Sequence, residues 1–127
     1  MKIIILAGSE SDKWFTDKIQ EEANKYNIES KVHFGSAHKK PKEVLDIVES
    51  YSNEKVVFIT VAGRSNALSG VVAANTEKPV IACPPFKDKI DFMVNINSTL
   101  QMPSLTPVLT VLEPSNAVLS AKRIFSL

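Results

Sequence analysis

Four glycines, two histidines and one cysteine are all that the 127 residues hold of those types, and each shortage excludes something. One cysteine cannot build a disulfide framework or a cysteine-rich zinc site. Two histidines without a helical pair give no basis for a metal centre, so no metal is expected. Fifteen basic side chains against 14 acidic ones leave a net charge of +1, too little for the attraction on which non-specific nucleic-acid binding relies. No apolar run approaches the roughly 18 residues of a membrane span. The apolar opening, residues 1–7, is short and is followed by Gly-Ser-Glu-Ser-Asp rather than by a small-residue cleavage pattern, so it does not read as a signal peptide. These exclusions describe a soluble, cytoplasmic protein with neither a nucleic-acid nor a membrane partner.

What the sequence does contain is 44% hydrophobic residues, grouped in five short runs at residues 2–7, 30–34, 55–61, 79–83 and 107–112. The first, third and fourth are nearly continuous in Ile, Val, Leu and Phe, as expected of strands covered on both faces. Helical spacing lies between them. Phe15, Ile19, Ala23 and Tyr26 repeat at three and four; Val44, Ile47, Val48 and Tyr51 do so after Pro41; Ala117, Ala121, Ile124 and Phe125 do so after Pro114. Residues 88–100 are ambiguous, because Ile90, Met93, Val94 and Ile96 suit a helix face while asparagines and Pro103 blur its end. Strand then helix, repeated, predicts an α/β fold: one domain over residues 1–127, a three-layer doubly wound parallel sheet of flavodoxin-like or Rossmann-like type.

In such sheets ligands bind outside the carboxyl ends of the strands, and Gly8, Gly35 and Gly63 each follow a run there. The loop Gly8-Ser9-Glu10-Ser11-Asp12 enters a helix; its N–H groups and hydroxyls suit a phosphate and Asp12 suits ribose hydroxyls, but Ser and Asp are equally the preferred helix caps. The loop Gly35-Ser36-Ala37-His38-Lys39-Lys40 carries an imidazole, a side chain that titrates near neutrality, or else simply a surface histidine. His33, inside a strand between Val32 and Phe34, reads as structural. The loop Ala62-Gly63-Arg64-Ser65-Asn66 is equally open to a ligand or a capping role. Cys83 has no activating partner in the sequence and reads as a buried thiol.

Together, Gly-Ser-x-Ser-Asp at 8–12, Ser-Ala-His-Lys at 36–39, Ala-Gly-Arg-Ser-Asn at 62–66, Pro-Val-Ile-Ala-Cys-Pro-Pro at 79–85 and Gln-Met-Pro at 101–103 resemble the phosphoribosylaminoimidazole carboxylase family of purine biosynthesis. Each motif is weak alone, but the five occur in order along nearly the whole chain. The family has two branches. Mutases of N5-carboxyaminoimidazole ribonucleotide usually carry a second histidine in the third loop, in a Gly-Gly-Ala-Ala-His-Leu type of segment. Here that segment is Gly63-Arg64-Ser65-Asn66-Ala67-Leu68, and Lys39 stands where mutases usually have arginine. The chain thus looks like the other branch, which carboxylates C4 of 5-aminoimidazole ribonucleotide (AIR) directly with CO2 to give 4-carboxy-5-aminoimidazole ribonucleotide (CAIR).

The resemblance implies that His38 is the acid–base residue and that Lys39 and Ser65 hold CO2 or the new carboxylate. It further implies that Gly8, Ser9, Ser11, Asp12, Ser36, Ala37, Ala62, Gly63, Arg64 and Asn66 contribute to the nucleotide site, with no cofactor. It also implies a homo-oligomer, usually an octamer. Two departures stand out. Leu105 replaces a glycine common in relatives, which points to a different local turn, and the chain ends where many relatives continue into a helix that packs on a neighbouring subunit. The competing expectations are the mutase and a non-catalytic flavodoxin-like module that binds a mononucleotide through the first loop.

Overall fold

In a computed structural model describing residues 1–127, the chain runs β1 (Lys2–Ala7), α1 (Lys13–Lys25), β2 (Glu29–Phe34), α2 (Pro41–Ser50), β3 (Val56–Val61), α3 (Ala67–Ala74), β4 (Val80–Ala82), α4 (Lys89–Leu100), β5 (Leu109–Thr110) and α5 (Pro114–Phe125). A single 3-10 turn, Glu10–Asp12, precedes α1. The five strands form one parallel sheet in the order β2-β1-β3-β4-β5, the doubly wound order in which the chain turns back across β1. The ambiguous segment at 88–100 is helical, opened by Asp88, whose carboxylate accepts from the Asp91 N–H. No helix is long and apolar enough to cross a membrane.

Alternation along the strands divides the core in two. Ile3, Ile5 and Ala7 of β1 and Val57, Ile59 and Val61 of β3 point to one face, where Phe15, Ile19 and Ala23 of α1 meet Ala117, Ala121 and Phe125 of α5. Ile4 and Leu6 of β1 and Val56 and Phe58 of β3 point to the other face, against Val44 and Val48 of α2 and Leu68 and Val72 of α3. Successive strand side chains alternate sides, so a strand with helices on both faces must be apolar throughout. Burial of each such side chain contributes about 1.5–3 kcal/mol.

His33 and Cys83 both occupy the core side of the structure. His33 Nε2 and the Tyr51 hydroxyl are 2.7 Å apart, with the two rings edge to face. Partial burial, reinforced by Lys31, lowers the His33 pKa, so the imidazole is neutral at pH 7. Cys83 is fully buried, its thiol facing the Leu112 carbonyl oxygen at 3.5 Å. Burial, with Glu113 adding to it, pushes the thiol up to about 12.

Leu105 has φ 62, so the backbone takes the left-handed conformation that a glycine would adopt easily. A leucine there bears a steric cost of about 1–2 kcal/mol, and its side chain is almost entirely exposed.

The raised thiol pKa predicts that native Cys83 reacts with iodoacetamide at pH 8 at least about a hundredfold more slowly than it does in the urea-unfolded chain, since only the thiolate is nucleophilic. Mass spectrometry of the time course checks this; equal rates would show an accessible, ionisable thiol.

Candidate active site

The loops after β1, β2 and β3 lie side by side because the strand register ends them level: Ala7 pairs with both Phe34 and Val61. Two backbone bonds fasten their first residues, from the Gly8 N–H to the Val61 carbonyl (3.0 Å) and from the Gly35 N–H to the Ala7 carbonyl (2.9 Å). Gly35 is closely packed, since a Cβ there would stand 3.1 Å from Val44 Cγ2.

In the first loop Ser9 caps the following turn. Its Oγ accepts from the Ser11 N–H at 3.2 Å and lies 2.8 Å from Ser11 Oγ. Asp12 lines the cavity beyond, and its carboxyl pKa is raised, chiefly by burial; Lys87 opposes the shift and Asp91 adds to it. A carboxylate that is desolvated without a full counter-charge is a group held ready for a donor.

The second loop turns tightly, with Ser36 Oγ accepting from the Lys39 N–H at 3.1 Å and Ser36 O from the Lys40 N–H at 2.9 Å. That turn projects His38 towards the third loop, where its Nε2–H donates to the Ser65 carbonyl oxygen at 2.9 Å. A carbonyl can only accept, so Nε2 carries a proton, and in the neutral imidazole the lone pair is on Nδ1.

Ser65 is held in the left-handed region, φ 49, which costs on the order of 1–3 kcal/mol for a residue with a Cβ. Its carbonyl also accepts from the Ala67 N–H at 2.6 Å. This closes an inverse γ-turn around Asn66, which has φ −69 and ψ 74. Asn66 itself is buried and fully engaged: Oδ1 accepts from the Ser69 N–H at 3.1 Å, while Nδ2 donates to Ser69 Oγ at 2.9 Å and Thr99 Oγ1 at 3.0 Å. Its own N–H donates to Ser98 Oγ at 2.6 Å. Asn66 therefore shapes the third loop and caps α3, with no side-chain polar atom left over.

Ten of the residues singled out from the sequence, Gly8, Ser9, Asp12, Ser36, Ala37, His38, Ala62, Gly63, Arg64 and Ser65, line one cavity of about 190 Å³. Ser11 lines the adjoining cleft of about 580 Å³, which shares Asp12, Gly63 and Arg64 with that cavity. Asn66 lies on a third hollow, which shares His38 and Ser65. Lys39 lines none of the three and is exposed. The largest concavity, about 680 Å³, is at the opposite end of the sheet, between the ends of α2 and α3, and holds none of these groups.

Sequence reasoning missed the wall made by α4 and the segment before it. Lys87, Asp91 and Asn95 line the second cleft, and Val94, Asn97 and Ser98 the third hollow. The available signal was the pair Asn95 and Thr99, polar residues four apart that are the only buried positions of α4.

Removing Asn66 tests the loop's construction. Asn66→Ala loses a helix cap and two buried hydrogen bonds and lowers stability by about 2–3 kcal/mol, whereas exposed Lys39→Ala stays within about 0.5 kcal/mol of the parent. Urea denaturation of both variants measures this; similar midpoints would show that the Asn66 contacts carry no weight.

Residues 2–127 match the family model described as AIR carboxylase. The chain is 48% identical over 127 residues to a phosphoribosylaminoimidazole carboxylase of Archaeoglobus fulgidus, covering 100% of this chain and 70% of that protein. It is 45% identical over 128 residues to a phosphoribosylaminoimidazole carboxylase of Treponema denticola, covering 98% and 79% respectively. The crystal structure of Treponema denticola PurE superposes with a TM-score of 0.90 at 43% identity, over 98% of this chain and 79% of that one. With its fold, its strand-end motifs and these relatives in agreement, the chain belongs to the AIR carboxylase family of purine biosynthesis enzymes.

Proposed function

We propose that this enzyme is the direct carboxylase, adding CO2 to C4 of AIR and reversibly releasing it from CAIR, rather than the mutase. The observation that carries this reading is the single imidazole at the strand ends. His38 is bonded to the third loop, that loop has Ala67 and no histidine, and His33 is tied to Tyr51 within the fold. A direct carboxylation needs one proton to be moved at C4.

The aminoimidazole ring is enamine-like, so C4 attacks the carbon of CO2 unaided. A C–C bond forms, one C=O electron pair becomes a carboxylate lone pair, and the amine nitrogen takes up the positive charge. The C4 proton then passes to Nδ1 of His38, and the ring regains its aromatic electrons. In reverse, the same nitrogen returns the proton to C4 as CO2 leaves. The Nε2–H bond to the Ser65 carbonyl fixes this tautomer and stabilises the imidazolium as it forms. The Lys39 ammonium, on a flexible exposed stem, offsets the carboxylate charge together with the Ser65 hydroxyl.

Gly8, Ser9 and Ser11 take the phosphate end, where hydroxyls and loop N–H groups precede a helix. Asp12 takes the ribose. Ser36, Ala37, Ala62, Gly63 and Arg64 close around the base, on the scaffold that Asn66 holds. No cofactor enters this scheme.

The catalyst works as a homo-oligomer, an octamer on the family pattern. Ile90, Met93 and Val94 of α4, with Leu100, are exposed although α4 buries only two polar residues. Such an inverted helix is suited to another copy of the chain.

Three experiments test the proposal. The wild type decarboxylates CAIR, followed by ultraviolet absorbance, and does not convert the N5-carboxylated isomer into CAIR. His38→Asn lowers turnover by about 10²–10⁴-fold with nucleotide affinity within about threefold. Consumption of the isomer would establish the mutase, and binding of CAIR without turnover at any pH would establish a non-catalytic module. Light scattering places the assembly at eight times the 14.0 kDa chain mass, and the double variant Ile90→Glu, Met93→Glu shifts it to smaller species; a monomeric wild type would rule the assembly out.

A further inference from the structure

Resting on that reading, we propose that Asn95 is a substrate-positioning residue: its idle amide oxygen accepts a hydrogen bond from a ribose hydroxyl of the nucleotide, opposite Asp12. Asn95 is 4% exposed. Its Nδ2 donates to the Pro85 carbonyl at 2.6 Å, which settles the orientation of the amide, since the opposite rotamer would set two acceptors against each other. Its Oδ1 is the one buried side-chain polar atom of the chain without a partner. An unmet buried acceptor costs about 1–3 kcal/mol, so the amide stands to gain from a donor that reaches it when the nucleotide binds.

Position identifies the donor. Asn95 stands against Gly63, where a Cβ would lie 3.3 Å from both amide atoms, so the glycine is what allows the side chain to approach the third loop. Asn95 lines the 580 Å³ cleft together with Ser11, Asp12 and Arg64, whereas His38 lies outside that cleft. On the proposed reading the base lies by His38 and the ribose lies at Asp12, which the cavity and the cleft share. A phosphate dianion offers no proton to an acceptor. The ribose hydroxyls do, and Asp12 and Asn95, which line the same cleft, would supply one acceptor for each hydroxyl of a cis-diol.

The test measures CAIR, 2′-deoxy-CAIR and 3′-deoxy-CAIR on wild type and Asn95→Leu, by isothermal titration for Kd and by decarboxylation for kcat and KM. In the wild type each deoxy analogue binds about threefold to thirtyfold more weakly, one deletion removing the partner of Asp12 and the other that of Asn95. In Asn95→Leu the Kd penalty for one analogue disappears and the other persists, and KM for CAIR rises about threefold to thirtyfold. A structural role for Asn95 would weaken all three ligands equally and preserve both ratios, which overturns the proposal. If Asn95→Leu does not fold, the wild-type ratios decide alone: a penalty for only one deletion, or for neither, overturns it. Failure of the parent reading is separate, because a wild type that binds CAIR without decarboxylating it still yields the affinity ratios.

Discussion

The register of β1 against β2 and β3 is the constraint on which the remaining structure depends. Because Ala7 is level with Phe34 and Val61, three chain segments leave the sheet at the same height and their first residues bond across to neighbouring strands. A slip of one residue would send Ile4 and Leu6 to the face that Ile3 and Ile5 now fill and exchange every contact with the helices. The apolar core therefore sets the geometry of the polar site without contributing an atom to its chemistry.

Departures from local preference gather at that end of the sheet. Ser65 holds a left-handed backbone, Asp12 is desolvated beside an incomplete counter-charge, and Asn95 keeps an unmet acceptor. Each is unfavourable by itself, and each faces the cavities that the three loops enclose. The strain at Ser65 has a visible return: the turn it makes aims a carbonyl at His38 Nε2, which leaves Nδ1 basic. The backbone of the third loop thus acts on the imidazole as much as its side chains do, and Asn66 secures that backbone from below.

Helix α4 follows a different logic from the other four. Helices α1, α2, α3 and α5 bury apolar side chains against the sheet, whereas α4 buries Asn95 and Thr99 and leaves Ile90 and Met93 in solvent. Its buried side holds the third loop and walls the cleft beside Asp12. The same inversion explains why the segment was hard to read: periodicity identifies a helix by its apolar face packing inward, and here the inward face is polar.

The sequence by itself determined the parallel sheet and the helices with an apolar inward face, because continuous apolar runs and three-and-four spacing are direct consequences of two-sided and one-sided burial; it left α4 ambiguous and gave β5 as 107–112, where the strand is Leu109–Thr110. It also singled out three loops at strand ends, which the register brings side by side. Tertiary structure alone decided what each loop residue does. Whether Asn66 meets a ligand or a helix end, which nitrogen of His38 is basic and what lies across from Gly63 depend on hydrogen bonds between residues 27 to 33 positions apart and on a close contact made possible by a missing Cβ. Such partners are set by the way the strands stack in space, and no local spacing in the chain encodes them.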